Sequence, residues 1–424
     1  MTTDKAKLRR LLSAGLGSQV ISSLTNFVFG IYLLKTMQPA DYGLYNIAFA
    51  VMVFIGGFSQ GFFLVQMTVL SPAKHAQERT AFAERTLLLL ATACLVFLVF
   101  AAFGILALQV YGIPLGTAGL PWLIALTSVA YMLKEFYIRH AFNEARGHDA
   151  VFIHAVLALV LLTGVLLDKA TGHNMQVDLA ILLYLLAHLV AAALGQWRSG
   201  IIFSRHPADQ LWATVRELCI GGKWAAATNV VYAIRNQAHT VVVAASIGGV
   251  GVAQLSASRL LVTPAVLLLP ALSQVVLPKL AHLRETQGDS GLWRAQRRIT
   301  AGLLAIAVGY STLLLASYPL ISSLLFSQTY KDLFWVTAAW CAYAITMTIR
   351  SNLELLAQVQ YKFSHLTAVN TICAIITLLA TLLLSLNFGI LGAALGLTLG
   401  EFATYAGLTY ITKQNRKICT PKAV

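Results

Sequence analysis

Acidic residues are scarce in this sequence, and charge of either sign is uncommon. Asp and Glu number only 16 among 424 residues, against 30 Lys and Arg, and charged residues together make up 11% of the chain. Soluble domains carry about a quarter charged residues. Apolar side chains occupy 58% of the positions. The composition therefore excludes a soluble globular domain and indicates an integral membrane protein.

Walker-type, HExxH and metal-ligand signatures are missing as well. The five cysteines show no CxxC spacing, the ten histidines show no metal-ligand spacing, and neither a Walker-type phosphate loop nor an HExxH motif occurs. We therefore expect no catalytic residue, no metal and no cofactor. The cations lie in short loops between apolar segments and not in a groove lined with aromatics, so nucleic acid is not an expected partner.

Long apolar segments dominate the sequence. An α-helix needs about 20 apolar residues to cross a bilayer, and windows of this length recur twelve times. They begin near Leu11, Leu44, Leu87, Ala118, Ala150, Asp178, Cys219, Val252, Ile299, Leu333, Ser364 and Leu391. The first window is too long for a signal peptide and lacks a cleavage site, so we interpret it as a retained span. The sequence thus predicts an all-α integral membrane protein with twelve transmembrane helices.

The loops between these segments alternate between basic and nearly uncharged. Of the 30 Lys and Arg residues, 22 fall on one side of the membrane, three on the other and five within spans. Because basic loops stay in the cytoplasm, this split predicts that both termini are cytoplasmic. The five cations within spans are Lys134, Lys223, Arg235, Arg259 and Arg350.

The sequence contains an internal repeat. Residues 33–50 align with residues 242–259 at an offset of about 208, and a second alignment at an offset of 216 makes Lys134 and Arg350 equivalent. Six spans separate the repeats, so both halves have the same orientation. The repeat therefore predicts a pseudo-two-fold axis along the membrane normal, with substrate between the halves.

The two halves predict two six-helix bundles, 1–205 and 206–424. The segment 206–218 at their junction has its apolar residues on one helical face. It is typical of an amphipathic helix on the inner leaflet, although a solvated linker would explain it equally well.

Arg235 lies near the middle of a span, where an arginine costs on the order of 3 kcal/mol. It should therefore face water, a counter-ion or an anionic ligand. At 100° per residue it shares one helical arc with four polar residues. These are Asn229, Tyr232, Asn236 and His239.

Further polar groups lie within spans. Ser256 and Arg259 share a helical face. Three acids offer partners to the cations: Glu135, Glu401, and Glu354, which follows Arg350 by four residues and can pair with it. The charges form internal ion pairs or bind an anionic ligand. Lys223 lies near the inner interface, and the other four cations against three acids leave the interior positive in both cases. A positive interior favours phosphate. Glu401 or His239 could relay a proton, or each could form only a hydrogen bond between helices.

Four passages resemble one family of transporters. They are LLKTMQPADYGLYNIAFAVMVFIGGFSQG at 33–61, VVVAASIGGVGVAQLSASRLL at 241–261, PALSQVVLPKLAHL at 270–283 and LNFGILGAALGLTLGEFATY at 386–405. In these patterns of glycine, proline and small residues the chain resembles the polysaccharide transporter family of Wzx-type flippases. That family belongs to the MOP superfamily, which also contains MATE exporters and MurJ-type flippases.

The resemblance implies two six-helix bundles around a central cavity, with alternating access to the two sides of the membrane. It implies a substrate too, an oligosaccharide repeat unit on undecaprenyl diphosphate. The substrate would pass from the cytoplasmic to the outer leaflet of the bacterial inner membrane, for O-antigen, capsule or exopolysaccharide assembly. A polysaccharide polymerase and a chain-length regulator would be partners. Four cations would bind the diphosphate: Arg235, Arg259, Lys134 and Arg350.

Two other functions stay open. One is a cation-coupled, MATE-like drug exporter, although the first span lacks the acid that such relatives usually carry. The other is a non-transporting partner of a polymerase or glycosyltransferase, in which the cations inside the membrane would be dispensable.

Overall fold

The computed structural model describes residues 2–71, 74–111, 117–172, 175–201, 206–326, 330, 332–360 and 363–414. Within these ranges every regular element is helical, as the apolar segments predict. The α-helices are α1 (Thr2–Thr36), α2 (Pro39–Ser59), α3 (Gln66–Leu70), α4 (Ala76–Val110), α5 (Leu120–Asn143), α6 (Gly147–Thr171), α7 (Val177–Ser199), α8 (Ala208–Ser246), α9 (Gly249–Ala316), α10 (Tyr318–Leu325), α11 (Phe334–Val359) and α12 (Phe363–Gln414).

Glycines interrupt the two longest helices. Gly288 in α9 has φ 65° and ψ −167°, and Gly389 in α12 has φ 59° and ψ −138°. A residue with a Cβ is strained at positive φ, so glycine suits both positions. Beyond Gly389 the chain packs closely against the first half of α12, because a Cβ on Gly396 would lie 2.5 Å from the Thr381 Cα. Both α9 and α12 are therefore pairs of helices joined at a glycine.

Seven helical stretches are long and apolar enough to cross a membrane. They are Ser13–Thr36, Pro39–Leu70, Gln77–Val110, Gly147–Thr171, Val177–Ser199, Ser290–Ala316 and His365–Thr412. The chain is therefore a multi-pass membrane protein. Once α9 and α12 are divided at their glycines, the described residues form twelve helical segments longer than 20 residues. Whether each of these crosses the membrane stays a prediction.

A π-helical turn, Gln60–Val65, joins α2 to α3. Here the chain passes very close to α8, because a Cβ on Gly61 would lie 2.5 Å from the Ala226 Cα. Such turns are rare and often mark functional positions.

The stretch GFSQG around Ser59 has the spacing of a nucleophile elbow, but it lies within helix and not at a strand-to-helix turn. It is therefore not a nucleophile elbow.

The structure divides into two compact units, Met1–Ala233 and Ile234–Val424. The division lies inside α8, which runs without interruption from Ala208 to Ser246. Residues 208–218, expected as an interfacial helix or a linker, form the first turns of this helix. The bundle boundary between residues 205 and 206 stays a prediction.

In the first unit α5 packs against α7, and α1 packs against α6. The first turns of α8 are attached to the start of α4. Arg85 Nε donates to Thr214 Oγ1 over 2.9 Å, and Lys74 pairs with Glu217 at 3.0 Å and with Glu78 at 3.2 Å. Burial lowers the pKa of Lys74, but the two carboxylates outweigh burial and hold this pKa above its ordinary value.

In the second unit α11 is the central helix, because it packs against both α9 and α12. Leu356 and Val359 of α11 form a buried cluster with Leu280 and Leu292 of α9. Ala357, on another face of α11, packs against α12 in a second cluster. Charged side chains on α11 are therefore held by packing on both sides.

Candidate functional site

Three buried charges meet in the second unit. Glu401 accepts hydrogen bonds from Arg235 Nη2 and Arg350 Nε, each through a different carboxylate oxygen. Arg235, Arg350 and Glu401 are 5%, 4% and 3% exposed, so little water reaches them. Arg350 also donates to Glu354, one turn further along the same helix. The structure thus forms the internal ion pairs that the sequence left open as an alternative.

Separate helices position these charges. Arg235 lies on α8, Arg350 on α11 and Glu401 on the second half of α12. Gly400 precedes Glu401 and allows a close approach to the first half of α12, since a Cβ there would collide with the Thr377 side chain. Because the three helices share one carboxylate, a movement of any one of them would change the ion pairs of the other two.

Arg259 lies beside an imidazole and an indole in the same unit. Its Nη1 is 3.1 Å from His239 Nε2, and its guanidinium carbon is 5.4 Å from the centre of the Trp340 ring. A guanidinium can only donate, so Nε2 accepts and the neutral imidazole carries its proton on Nδ1. His239 Nδ1 and Trp340 Nε1 are buried donors with no hydrogen-bond partner among the described residues. A cation and two unused donors together suit an anionic acceptor.

The net charge of this region is positive. Tyr343 interacts electrostatically with all three arginines and with Glu401, which places these charges in one group. Among the described residues named here, three arginines against two acids give one net positive charge while His239 is neutral. We call this group the arginine cluster, defined by Arg235, Arg259, Arg350, Glu354 and Glu401.

Other polar residues predicted to surround Arg235 or Arg259 are Asn229, Tyr232, Asn236 and Ser256. Asn229 belongs to the first unit and donates to the Ala225 carbonyl of its own helix over 2.9 Å. Tyr232 belongs to the same unit and is 55% exposed, whereas Asn236 and Ser256 are partly buried. The substrate-binding role of these four residues stays a prediction.

Lys134, the expected counterpart of Arg350, lies in the first unit and is 3% exposed. Its Nζ is 2.6 Å from Glu135 Oε1 and 5.1 Å from the centre of the Tyr131 ring. Lys134 and Glu135 line a cavity of about 130 Å³ between α1, α2, α5, α6 and α7. The neighbouring carboxylate therefore neutralises this cation.

Sequence reasoning missed the aromatic and amide residues around both charged groups. Asn370 accepts a hydrogen bond from Arg235 over 3.4 Å, and Trp340 and Tyr343 lie beside the arginines. Aromatic and amide side chains occur throughout the chain, so composition does not single them out. Helical spacing could have found Tyr343, because it precedes Arg350 by seven residues and therefore shares its face of α11.

Comparison with known proteins identifies the fold. No protein-family model matches the sequence, and no curated protein is significantly similar to it. An inward-facing MATE family multidrug resistance transporter of the MOP superfamily matches with a TM-score of 0.75 and 12% identity, over 95% of this chain and 96% of that one. The lipid II flippase MurJ, in an inward closed conformation, matches with a TM-score of 0.69 and 16% identity, over 95% and 87%. A Vibrio cholerae MATE transporter matches with a TM-score of 0.67 and 14% identity, over 98% and 99%.

The chain has the fold of the MOP superfamily. The fold of MATE and MurJ transporters, which the resemblance in the sequence motifs implies, is confirmed. Membership of the polysaccharide transporter family is not shown, because identities of 12% to 16% establish the fold alone. MATE exporters and a lipid flippase share this fold, so the fold does not select the substrate. The charges buried between the helices must therefore indicate the class of substrate.

Proposed function

We propose that this protein is a flippase for an oligosaccharide linked to undecaprenyl diphosphate. In this proposal the substrate moves from the cytoplasmic to the outer leaflet of a bacterial inner membrane by alternating access. The termini are cytoplasmic, and a polysaccharide polymerase and a chain-length regulator receive the product. The observation that carries the proposal is the net positive charge of the arginine cluster in a chain that shares its fold with a lipid II flippase.

A diphosphate fits the chemistry of this cluster better than a neutral or cationic substrate does. Guanidinium groups bind phosphate oxygens through two parallel hydrogen bonds, and such bonds strengthen where water is scarce. A phosphate that reaches Arg259 would also meet the unused donors of His239 and Trp340. The sequence predicts Lys134 as the fourth cation for the diphosphate. Because Glu135 neutralises Lys134, we propose that the diphosphate contacts the arginines and not Lys134.

Energy coupling in this proposal acts through Glu401 or His239. A proton on Glu401 would remove the charge that holds Arg235 and would weaken the hold on Arg350, which keeps Glu354 as a partner. Both guanidinium groups would then be freer to bind the substrate. A proton on His239 would instead repel Arg259, which donates to its Nε2. The two routes have opposite effects on diphosphate binding. Protonation of Glu401 makes arginines available to the diphosphate, whereas protonation of His239 displaces one arginine.

The proposal is tested by flipping of a fluorescent undecaprenyl diphosphate oligosaccharide in proteoliposomes. Wild type is compared at equal incorporation with Arg259→Ala, Arg235→Ala and a matched control, Arg297→Ala. Arg297 is exposed and lies on α9, as Arg259 does. We expect wild type and the control to flip the lipid. Loss of a bidentate contact to phosphate should slow Arg259→Ala at least about tenfold, in line with roughly 1.5–3 kcal/mol for a charged hydrogen bond.

Equal flipping rates for all four proteins would show that the arginine cluster does not bind the substrate. No flipping by wild type, together with uptake of a cationic dye by the same proteoliposomes, would favour the second candidate, a MATE-like drug exporter. The TM-score of 0.75 to a MATE transporter supports that candidate. The positive cluster opposes it, since like charges repel at short range.

A further inference from the structure

The cavity beside Lys134 is separate from the arginine cluster, because it lies wholly within the first unit. Its volume of about 130 Å³ is well below the roughly 300–1,000 Å³ of pockets for drug-sized molecules. At about 30 Å³ for each water, it holds the equivalent of about four waters. The cavity is therefore too small for a drug or for a lipid diphosphate with its counter-ions. It has room for the inner edge of one small polar ring that enters past the exposed Asn26.

Aromatic rings form part of the cavity wall. Phe49 of α2, Tyr131 of α5 and Tyr184 of α7 all line it. Tyr184 is fixed in position, because its hydroxyl donates to Asn26 Oδ1 over 3.0 Å. The flat, weakly negative faces of such rings pack against C–H groups. The hydrogen bond to Asn26 restricts the Tyr184 ring, so this part of the wall is preformed.

Hydrogen-bonding groups of both kinds complete the cavity wall. His188 Nδ1 is 2.7 Å from the Tyr184 carbonyl oxygen, so it carries the ring proton and leaves a lone pair on Nε2. Lys134 supplies N–H donors and Glu135 supplies carboxylate acceptors. The amide nitrogen of Asn26 is a further donor at the exposed rim, since the Asn26 oxygen already accepts from Tyr184. Donors and acceptors thus both line this small space.

The charge of the cavity disfavours ions. Lys134 and Glu135 are 2.6 Å apart and cancel one another, so neither an anion nor a cation gains from the local field without breaking the pair. A neutral ligand that both donates and accepts can instead contact both members of the pair. Sugar hydroxyls have this property, and a sugar ring presents C–H groups to aromatic faces.

We propose that this cavity binds one neutral sugar residue of the transported oligosaccharide. The assignment rests on the proposed flippase function for its biological meaning, but its chemistry is independent of the arginine cluster. Lys134 and Glu135 act here as a paired hydrogen-bonding group for hydroxyls, and the diphosphate is left to the arginines. The glycan and its lipid diphosphate are thus recognised by different units of the chain.

The test measures sugar binding without any lipid carrier. The full chain in nanodiscs is examined by saturation-transfer NMR with methyl glycosides of glucose, galactose, N-acetylglucosamine, N-acetylgalactosamine and rhamnose. Ser22→Leu fills the cavity, which Ser22 lines, and Ser23→Leu on the same helix is the matched control. We expect transfer to at least one glycoside, reduced about fivefold or more in Ser22→Leu and unchanged in Ser23→Leu.

No transfer to any glycoside, or equal transfer in wild type and Ser22→Leu, would overturn the assignment. This outcome is separate from the fate of the proposed function, because lipid flipping is measured in another experiment. Flipping by wild type without glycoside binding would leave the flippase proposal intact and remove the sugar site. Glycoside binding without lipid flipping would support the sugar site and contradict the proposed transport of a lipid diphosphate.

Discussion

Glu401 is the residue on which the charged interior of the second unit depends. Its carboxylate accepts from Arg235 and Arg350 at once, and its side chain is only 4% exposed. Removing one member of a buried ion pair leaves an uncompensated charge and typically costs about 3–5 kcal/mol. Glu354 contacts only Arg350 in this group, and its side chain is 24% exposed. The two acids should therefore differ sharply in their effects on stability.

We expect Glu401→Gln to lower the free energy of unfolding by about 3 kcal/mol or more, and Glu354→Gln by about 1 kcal/mol or less. Thermal unfolding in detergent, followed by size-exclusion chromatography, measures both. Glu354→Gln is the control, because it changes the same chemical group on a partner of Arg350. Equal destabilisation by the two substitutions would contradict a shared, water-poor carboxylate.

The same variant tests coupling. If Glu401 takes up the proton that drives transport, Glu401→Gln should flip lipid at the same rate with and without an imposed pH gradient. Wild type should respond to the gradient. A gradient response that survives in Glu401→Gln would leave His239 as the coupling residue.

Sequence reasoning found one of these ion pairs and missed the others. Glu354 follows Arg350 by four residues, so helical geometry alone predicts that pair. Glu401 lies 166 residues from Arg235 and 51 from Arg350. No periodicity reports contacts at such separations. The sequence could thus supply the charges of the site but not their partners on other helices.

The glycine that divides α12 controls the path of the chain at the scale of the element. Gly389 has φ 59° and ψ −138°, a conformation that costs a residue with a Cβ about 1–3 kcal/mol. The neighbouring space is open, since the nearest atom to an added Cβ is Ile247 Cδ1 at 4.0 Å. Any loss from a substitution by alanine would therefore come from backbone strain and not from a clash.

We expect Gly389→Ala to lower the free energy of unfolding by about 1–3 kcal/mol. Gly302→Ala is the control, because Gly302 lies within helix α9 and a Cβ there meets nothing within 4 Å. That substitution should stabilise the protein by about 0.5–1 kcal/mol through helix propensity. Thermal unfolding of the two variants measures both shifts, and a shift of the same sign in both would argue against the strained turn.

The orientation of the whole molecule in the membrane depends on the distribution of basic residues. The split of 22 cations to three among the loops predicts cytoplasmic termini and a cytoplasmic loop near residue 205. In a bacterial host, fusions of a fluorescent protein after residues 205 and 424 should therefore fluoresce. An alkaline phosphatase fusion after Gly172 should be active. Activity of a phosphatase fused after residue 205 would show that the predicted topology is reversed or that one predicted span does not cross the membrane.

The sequence by itself determined that this chain is a helical membrane protein with charges buried in its spans. Apolar windows and glycines act locally, so length, hydropathy and backbone strain can be deduced from residues close together in the chain. Its motifs also indicated the MOP fold, which the structural comparisons support.

Only the tertiary structure decided which of the charges are compensated. It joined Arg235 and Arg350 through Glu401, placed His239 and Trp340 beside Arg259, and enclosed the cavity that holds Lys134 and Glu135. These contacts connect helices far apart in the sequence, and they form because several helices pack at once. A buried charge is visible in one segment, whereas the group that neutralises it is fixed by the packing of the others.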